Sequence, residues 1–150
     1  MLDLKTRFFS ETAVEIGDVF PHFELPNEKD ELKNTVVFQG NLIFVDFWAT
    51  WCVPCHEQFP ELKEIISDYS SQDFKVIGVA LDENKEKWLK VNEAEQIPWL
   101  SLIDTAGHKN IAKKFNIRPI PANYLVNPDG VIIEKNIDIE DLRLVLEEYY

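Results

Sequence analysis

Two cysteines, Cys52 and Cys55, are the only ones in the 150-residue chain, and both lie in the stretch VDFWATWCVPCHEQFP, residues 45–60. Such a pair could be a structural cross-link, part of a metal site, or a redox centre. A disulfide between residues three apart closes a very small loop and stabilises a fold little by the chain-entropy argument. A metal site takes about four ligands. The three histidines, His22, His56 and His108, are scattered and repeat no zinc spacing, so no metal is expected. His56 adjoins Cys55, but neighbouring positions on a helix diverge by roughly 100°. A redox centre suits the surroundings best. An apolar run, LIFVDF (42–47), leads through a short loop to a helix starting near Cys52. The first helical turn offers unpaired N–H groups and a partial positive charge. Both favour thiolate over thiol, which should bring Cys52 below the free value of about 8.5. Cys55 lies one turn on, within reach of Cys52, and should be the more buried of the two. Pro54 fits the first turn, where its missing N–H goes unused.

The elements that must position this pair can be read from the pattern of apolar residues. LIFVDF reads as a central buried strand. Phe59, Leu62, Ile65, Ile66 and Tyr69 follow at helical spacing, although Pro60 interrupts the pattern and should kink that helix. FKVIGVAL (74–81) is a second buried strand, and residues 84–96 form a helix with a weaker stripe around Trp88 and Val91. WLSLI (99–103) is a short strand, and residues 108–115 a short helix. ANYLV (122–126) and VIIEK (131–135) are joined by NPDG, which favours a type I turn and hence a hairpin. The final helix places Ile139, Leu142, Val145, Leu146 and Tyr149 on one face, with Asp138 as its expected N-cap. Upstream, Pro21 and Pro26 flank an alternating piece around Phe23 and Leu25, which suggests a hairpin or an edge segment with a polar turn near residues 27–30. Residues 1–16 read as an extension and 17–150 as one domain. Strand–helix alternation implies parallel strands with helices on both faces, and the late hairpin adds antiparallel pairing. The expected architecture is an α/β sandwich with a mixed central sheet.

Composition narrows the function. The chain is 45% hydrophobic, enough for a core without cross-links. With 27 acidic residues against 15 basic ones, the net charge of -12 repels phosphate backbones and anionic lipid. Neither nucleic acid nor a membrane surface is an expected partner. No apolar run approaches the roughly 18 residues of a membrane helix, and the N-terminal stretch lacks a signal-peptide core.

VDFWATWCVPC resembles the active-site signature of thioredoxins. More narrowly, GDVFPHFEL, FWATWCVPC with Pro60 five residues after Cys55, FKVIGVALDEN and FNIRPIPANYLVNPDGVI resemble the extracytoplasmic thiol–disulfide oxidoreductases of the TlpA/ResA type. The resemblance covers residues 17–150. It implies a thioredoxin-like fold with an N-terminal hairpin extension. It also implies dithiol–disulfide exchange on protein substrates, an external electron donor, no bound cofactor, and roles in redox homeostasis such as cytochrome c maturation. Cys52 would be the nucleophile and Cys55 the resolving thiol. Pro121 would be a cis-proline beside the pair, with the Ile120 backbone pairing with an extended substrate. Trp51, Val53 and Pro54 would complete the substrate surface, and Trp48 with Trp51 would shelter the dithiol. Asp46 matches the buried carboxylate that takes the Cys55 proton; its alternative is a strand-end residue facing solvent. Glu83 falls where this type keeps an active-site glutamate, against the alternative of a solvated helix start.

Gln58 departs from the family pattern, which often has Glu there, and NTVVFQGN (34–41) looks like an addition before the first core strand. Val53 supplies no charge or donor to depress the thiol further, which points to a reductase. The expected state is a monomer outside the cytoplasm, with leader or anchor absent from this sequence; a cytoplasmic location is the alternative. Two other functions remain open. Thiol peroxidases share the fold, but their reactive cysteine follows a Thr three residues earlier, where this chain has Ala49. A copper- or haem-handling thiol chaperone would need a further positioned His or Met, and Met1 is the sole methionine.

Overall fold

Seven strands and four helices, seen in a computed structural model that describes residues 14–150, arrange the chain around a five-stranded mixed sheet. Most of the expected extension, residues 1–13, lies outside the described residues. The chain order is β1 (Glu24–Pro26), β2 (Leu32–Asn34), β3 (Leu42–Trp48), α1 (Val53–Asp68), β4 (Phe74–Leu81), α2 (Lys85–Glu95), β5 (Leu100–Asp104), α3 (Ile111–Lys114), β6 (Ala122–Val126), β7 (Ile132–Lys135) and α4 (Ile139–Tyr149). The sheet order is β5-β4-β3-β6-β7. β3 runs parallel to β4 and antiparallel to β6. The first two strands form the expected separate hairpin.

β3 lies at the middle of the sheet, so all seven of its residues are buried. Successive side chains point to opposite faces of a strand. Leu42, Phe44 and Trp48 therefore join the core beneath α1 and α4, while Ile43, Val45 and Phe47 join the core on the opposite face. β4 divides likewise: Val76 and Ala80 go to the first core, Ile77, Val79 and Leu81 to the second. Burying each large apolar side chain contributes about 1.5–3 kcal/mol, so this alternation fixes the register firmly. The second core holds an aromatic cluster in which Phe115 meets Phe20, Phe23, Phe47 and Tyr124 with ring centroids 5.5–5.7 Å apart.

α1 buries Cys55, Phe59, Leu62 and Ile65, residues three and four apart on one face. It continues unbroken through Pro60, whose missing N–H leaves only the His56 carbonyl without its helical donor. α4 packs beside it, burying Ile139, Leu142 and Leu146. Arg143 reaches from α4 to Asp68 at 2.9 Å, Glu61 at 3.7 Å and Glu64 at 3.9 Å.

Some local expectations need correcting. Asp138 occupies the N-cap position of α4 with extended backbone but makes no side-chain capping bond. The stretch after β2 is a 3-10 turn, Thr35–Phe38, capped by Asn34. The expected helix at 108–115 divides into a 3-10 turn, Gly107–Lys109, and the short α3. Its opening is anchored by buried Asp104, whose carboxylate accepts from the Ala106 and Ile111 N–H groups.

Candidate active site

The cysteine pair sits where β3 hands over to α1. Cys52 is the N-cap of α1, with extended backbone, and its sulfur accepts from the Cys55 N–H at 3.3 Å. The two sulfurs are joined as a disulfide, with Cα atoms 5.3 Å apart. Cys55 is fully buried, whereas Cys52 retains 4% exposure. A sulfur at a helix N-cap meets the orphan N–H groups and the positive end of the helix dipole, which together favour a thiolate there.

Three segments distant in sequence surround the pair. The Ile120–Pro121 peptide is cis, and the Ile120 carbonyl oxygen lies 3.8 Å from the Cys52 sulfur. Trp51 and Val53 project outward, 60% and 66% exposed, with Pro54 exposed beside them. They give the dithiol an apolar rim. Trp48, one turn of loop earlier, is fully buried and packs edge-on against Phe59 at 5.1 Å.

Asp46 lies in the interior of the protein, not at a solvent-facing strand end. It is 1% exposed, in the middle of β3. By strand alternation it shares the α1 face with Phe44 and Trp48, and hence with Cys55. Neither of its carboxylate oxygens has a hydrogen-bond partner. Burial without such a partner penalises the charged form, and the carboxyl is pushed up from 3.8 to about 8. Across the strand pair its neighbour is Gly78, where a Cβ would stand 2.6 Å from the Trp99 indole nitrogen and 3.3 Å from that of Trp48. The glycine is what lets two indoles lie over this part of the sheet.

Glu83 is exposed and does not bond to the pair. It lines a cavity of about 370 Å³ with Thr50, Trp51, Asp82, Lys87 and His108. The buried carboxylate at this corner is its neighbour, Asp82. Asp82 accepts from the Thr50 N–H at 2.9 Å, from the Thr50 hydroxyl, and from the Asn84 N–H at 3.1 Å. The Thr50 carbonyl in turn accepts from His56 Nε2 at 2.8 Å. Sequence reasoning missed Asp82, Thr50 and His56. One signal for Asp82 was available: alternation carried one residue past β4 gives it the parity of Val76, Gly78 and Ala80, the α1 side, and gives Glu83 the other. Among the described residues no group of three or more His, Cys, Asp or Glu is placed to hold a metal ion, and no helix is long and apolar enough to cross a membrane.

A dithiol at the start of a helix, beside a cis-proline loop on a mixed sheet, defines the thioredoxin-fold thiol–disulfide oxidoreductases, and this protein is one of them. The chain belongs to the AhpC/TSA family, which matches residues 16–135. It is 31% identical over 145 residues to the thiol-disulfide oxidoreductase ResA of Bacillus thuringiensis, covering 95% of this chain and 80% of that protein. To ResA of Geobacillus kaustophilus it is 30% identical, covering 95% and 83%. Among solved structures, a thiol-disulfide oxidoreductase from Bacteroides fragilis superposes with a TM-score of 0.81 at 31% identity, over 89% of this chain and all of that one. The thioredoxin domain of a Bacteroides vulgatus thiol-disulfide oxidoreductase gives 0.84 at 25% identity, over 91% and 99%.

Proposed function

We propose that the protein is a reductase of disulfides in protein substrates, with Cys52 as nucleophile and Cys55 as resolving thiol. The observation that carries the exchange chemistry and the roles of the two cysteines is the placement of Cys52 at the helix N-cap, its sulfur facing the Cys55 N–H and the Ile120 carbonyl, inside an exposed rim of Trp51, Val53 and Pro54. The reducing direction rests on Val53, which adds no charge or donor to stabilise the thiolate further. The Cys52 thiolate attacks one sulfur of a substrate disulfide. A Cys52–substrate disulfide forms and the other substrate sulfur leaves as thiolate. Cys55 gives its proton to Asp46 and attacks the Cys52 sulfur. The internal disulfide forms and the second substrate sulfur is released. Two electrons pass to the substrate, and an external dithiol donor must restore the pair.

Asp46 suits its part because its carboxyl, held at about 8, releases its proton close to a free thiol's 8.5. Its ionised form, a minor fraction at neutral pH that grows toward pH 8, takes the Cys55 proton with nearly even balance. The Ile120 backbone and Pro121 would flank an extended substrate segment, and Glu83 would act from the cavity rim. Residues 17–150 form the catalytic domain, acting as a monomer outside the cytoplasm.

Replacing Cys52 with Ser should abolish insulin-disulfide reduction, and Cys55→Ser should accumulate mixed disulfides visible on non-reducing gels. Full activity in Cys52→Ser would refute the nucleophile assignment. A glutathione titration decides direction. A midpoint toward -270 mV supports the reductase, and one near -120 mV makes the protein an oxidant.

A further inference from the structure

Thr50 belongs to a four-residue turn, Ala49 to Cys52, closed by the Cys52 N–H donating to the Ala49 carbonyl at 3.1 Å. This turn delivers Cys52 to the N-cap. Both peptide groups of Thr50 are held by side chains from outside the turn. On one side Asp82, just past β4, takes the Thr50 N–H and hydroxyl. On the other, His56 in the first turn of α1 donates Nε2–H to the Thr50 carbonyl. A carbonyl only accepts, so that ring nitrogen carries hydrogen.

Neither arm is a loose surface contact. Asp82 and Thr50 are 5% and 7% exposed, and burying a carboxylate is costly unless it is hydrogen-bonded. The imidazole packs against both Trp48 and Phe59, with ring centroids 5.9 and 5.4 Å away. A turn needing only to connect β3 to α1 could satisfy its N–H and carbonyl with water.

We propose that His56 and Asp82 are positioning residues for Cys52: gripping Thr50 from both sides, they keep the nucleophile's sulfur aligned with the N–H groups of α1 and so stabilise its thiolate. This rests on Cys52 being the nucleophile. It adds to that reading a control of the redox poise by residues that touch neither sulfur. Loosening the grip weakens the alignment, raises the Cys52 thiol pKa, and favours the disulfide over the dithiol.

The test uses three variants of the full chain. His56→Phe keeps the aromatic packing and deletes the N–H. His56→Gln keeps an N–H donor without the ring or any charge. Thr50→Val deletes only the hydroxyl bond to Asp82. Each is titrated against glutathione, and the pH profile of Cys52 alkylation is followed by mass spectrometry. His56→Phe should lower the equilibrium constant for reduction about tenfold, which is roughly 30 mV toward reducing for a two-electron couple. Its alkylation profile should move to higher pH. Thr50→Val should move both in the same direction, and His56→Gln should stay within about twofold of the unsubstituted protein. Equal effects of Phe and Gln at position 56, or no effect of Phe, overturn the proposal. If His56→Phe does not fold, Thr50→Val decides, and an unchanged potential there overturns it. Alkylation at Cys55 in the unsubstituted protein would overturn the nucleophile assignment as well, whereas alkylation at Cys52 with unaltered variants removes only the positioning role.

Discussion

Replacing Asp46 with Asn should make the protein more stable at alkaline pH and progressively less so as the pH falls. The carboxyl is held at about 8 in the folded protein against an ordinary 3.8, because it is buried with neither oxygen bonded. A raised acid means that the native state binds the proton more tightly than the unfolded chain. Between these two values the unfolded chain has released a proton that the native state keeps, so stability falls as the pH rises. The loss begins near pH 4, accumulates at about 1.36 kcal/mol per pH unit, and levels off above pH 8. From 3.8 to about 8 this amounts to a ceiling on the order of 5 kcal/mol. Asn at this position has no such proton to lose. Guanidinium unfolding of the oxidised protein at pH 5, 7 and 9, with and without Asp46→Asn, measures the effect. Any cost of burying an uncharged amide is the same at each pH and drops out of the slope. The stability difference between variant and parent should grow in favour of the variant by several kcal/mol from pH 5 to pH 9. A difference independent of pH would mean that Asp46 is solvated or paired in solution, and the argument from burial would fail. So would its assignment as an acceptor matched to the Cys55 thiol, which rests on the same raised value.

Gly78→Ala places a methyl group 2.6 Å from the Trp99 indole nitrogen and should cost about 1–3 kcal/mol of overpacking, read as a lower urea midpoint with a blue- or red-shifted tryptophan emission. Arg143→Ala removes three partly exposed ion pairs. It should lower stability by only about 0.5–1 kcal/mol, and 1 M salt should shrink that loss. Trp51→Ala, at a site 60% exposed, should leave the melting curve within about 0.5 kcal/mol of the parent while lowering kcat/KM for protein disulfides several-fold; an unchanged kcat/KM would remove Trp51 from the substrate surface.

Much of the fold was legible because its elements are written in short-range patterns. The unbroken apolar runs of β3 and β4 mark strands buried on both faces, and the three- and four-residue steps from Cys55 to Ile65 mark one helical face. The NPDG turn is closed as its chemistry requires, with the Gly130 N–H on the Asn127 carbonyl. Boundaries and caps were less legible. Asp138 stands where a capping side chain belongs, yet makes no bond there, since cap preference is a tendency that local geometry can leave unused.

The sequence by itself determined the reactive pair: two cysteines one helical turn apart, at the end of a buried strand, can be little other than a dithiol at a helix start. It also determined which residues of a helix share a face, because helical period is a local property of the chain. Only the tertiary structure decided the surroundings of that pair. It brought the Ile120 carbonyl within 3.8 Å of Cys52 across 68 residues. It left Asp46 buried with no donor, and it turned Asp82 inward, 32 residues from the Thr50 that it holds, while Glu83 stayed at the surface. Such contacts depend on how separate elements pack, and a hydrogen bond between distant segments leaves no periodicity in the sequence to announce it.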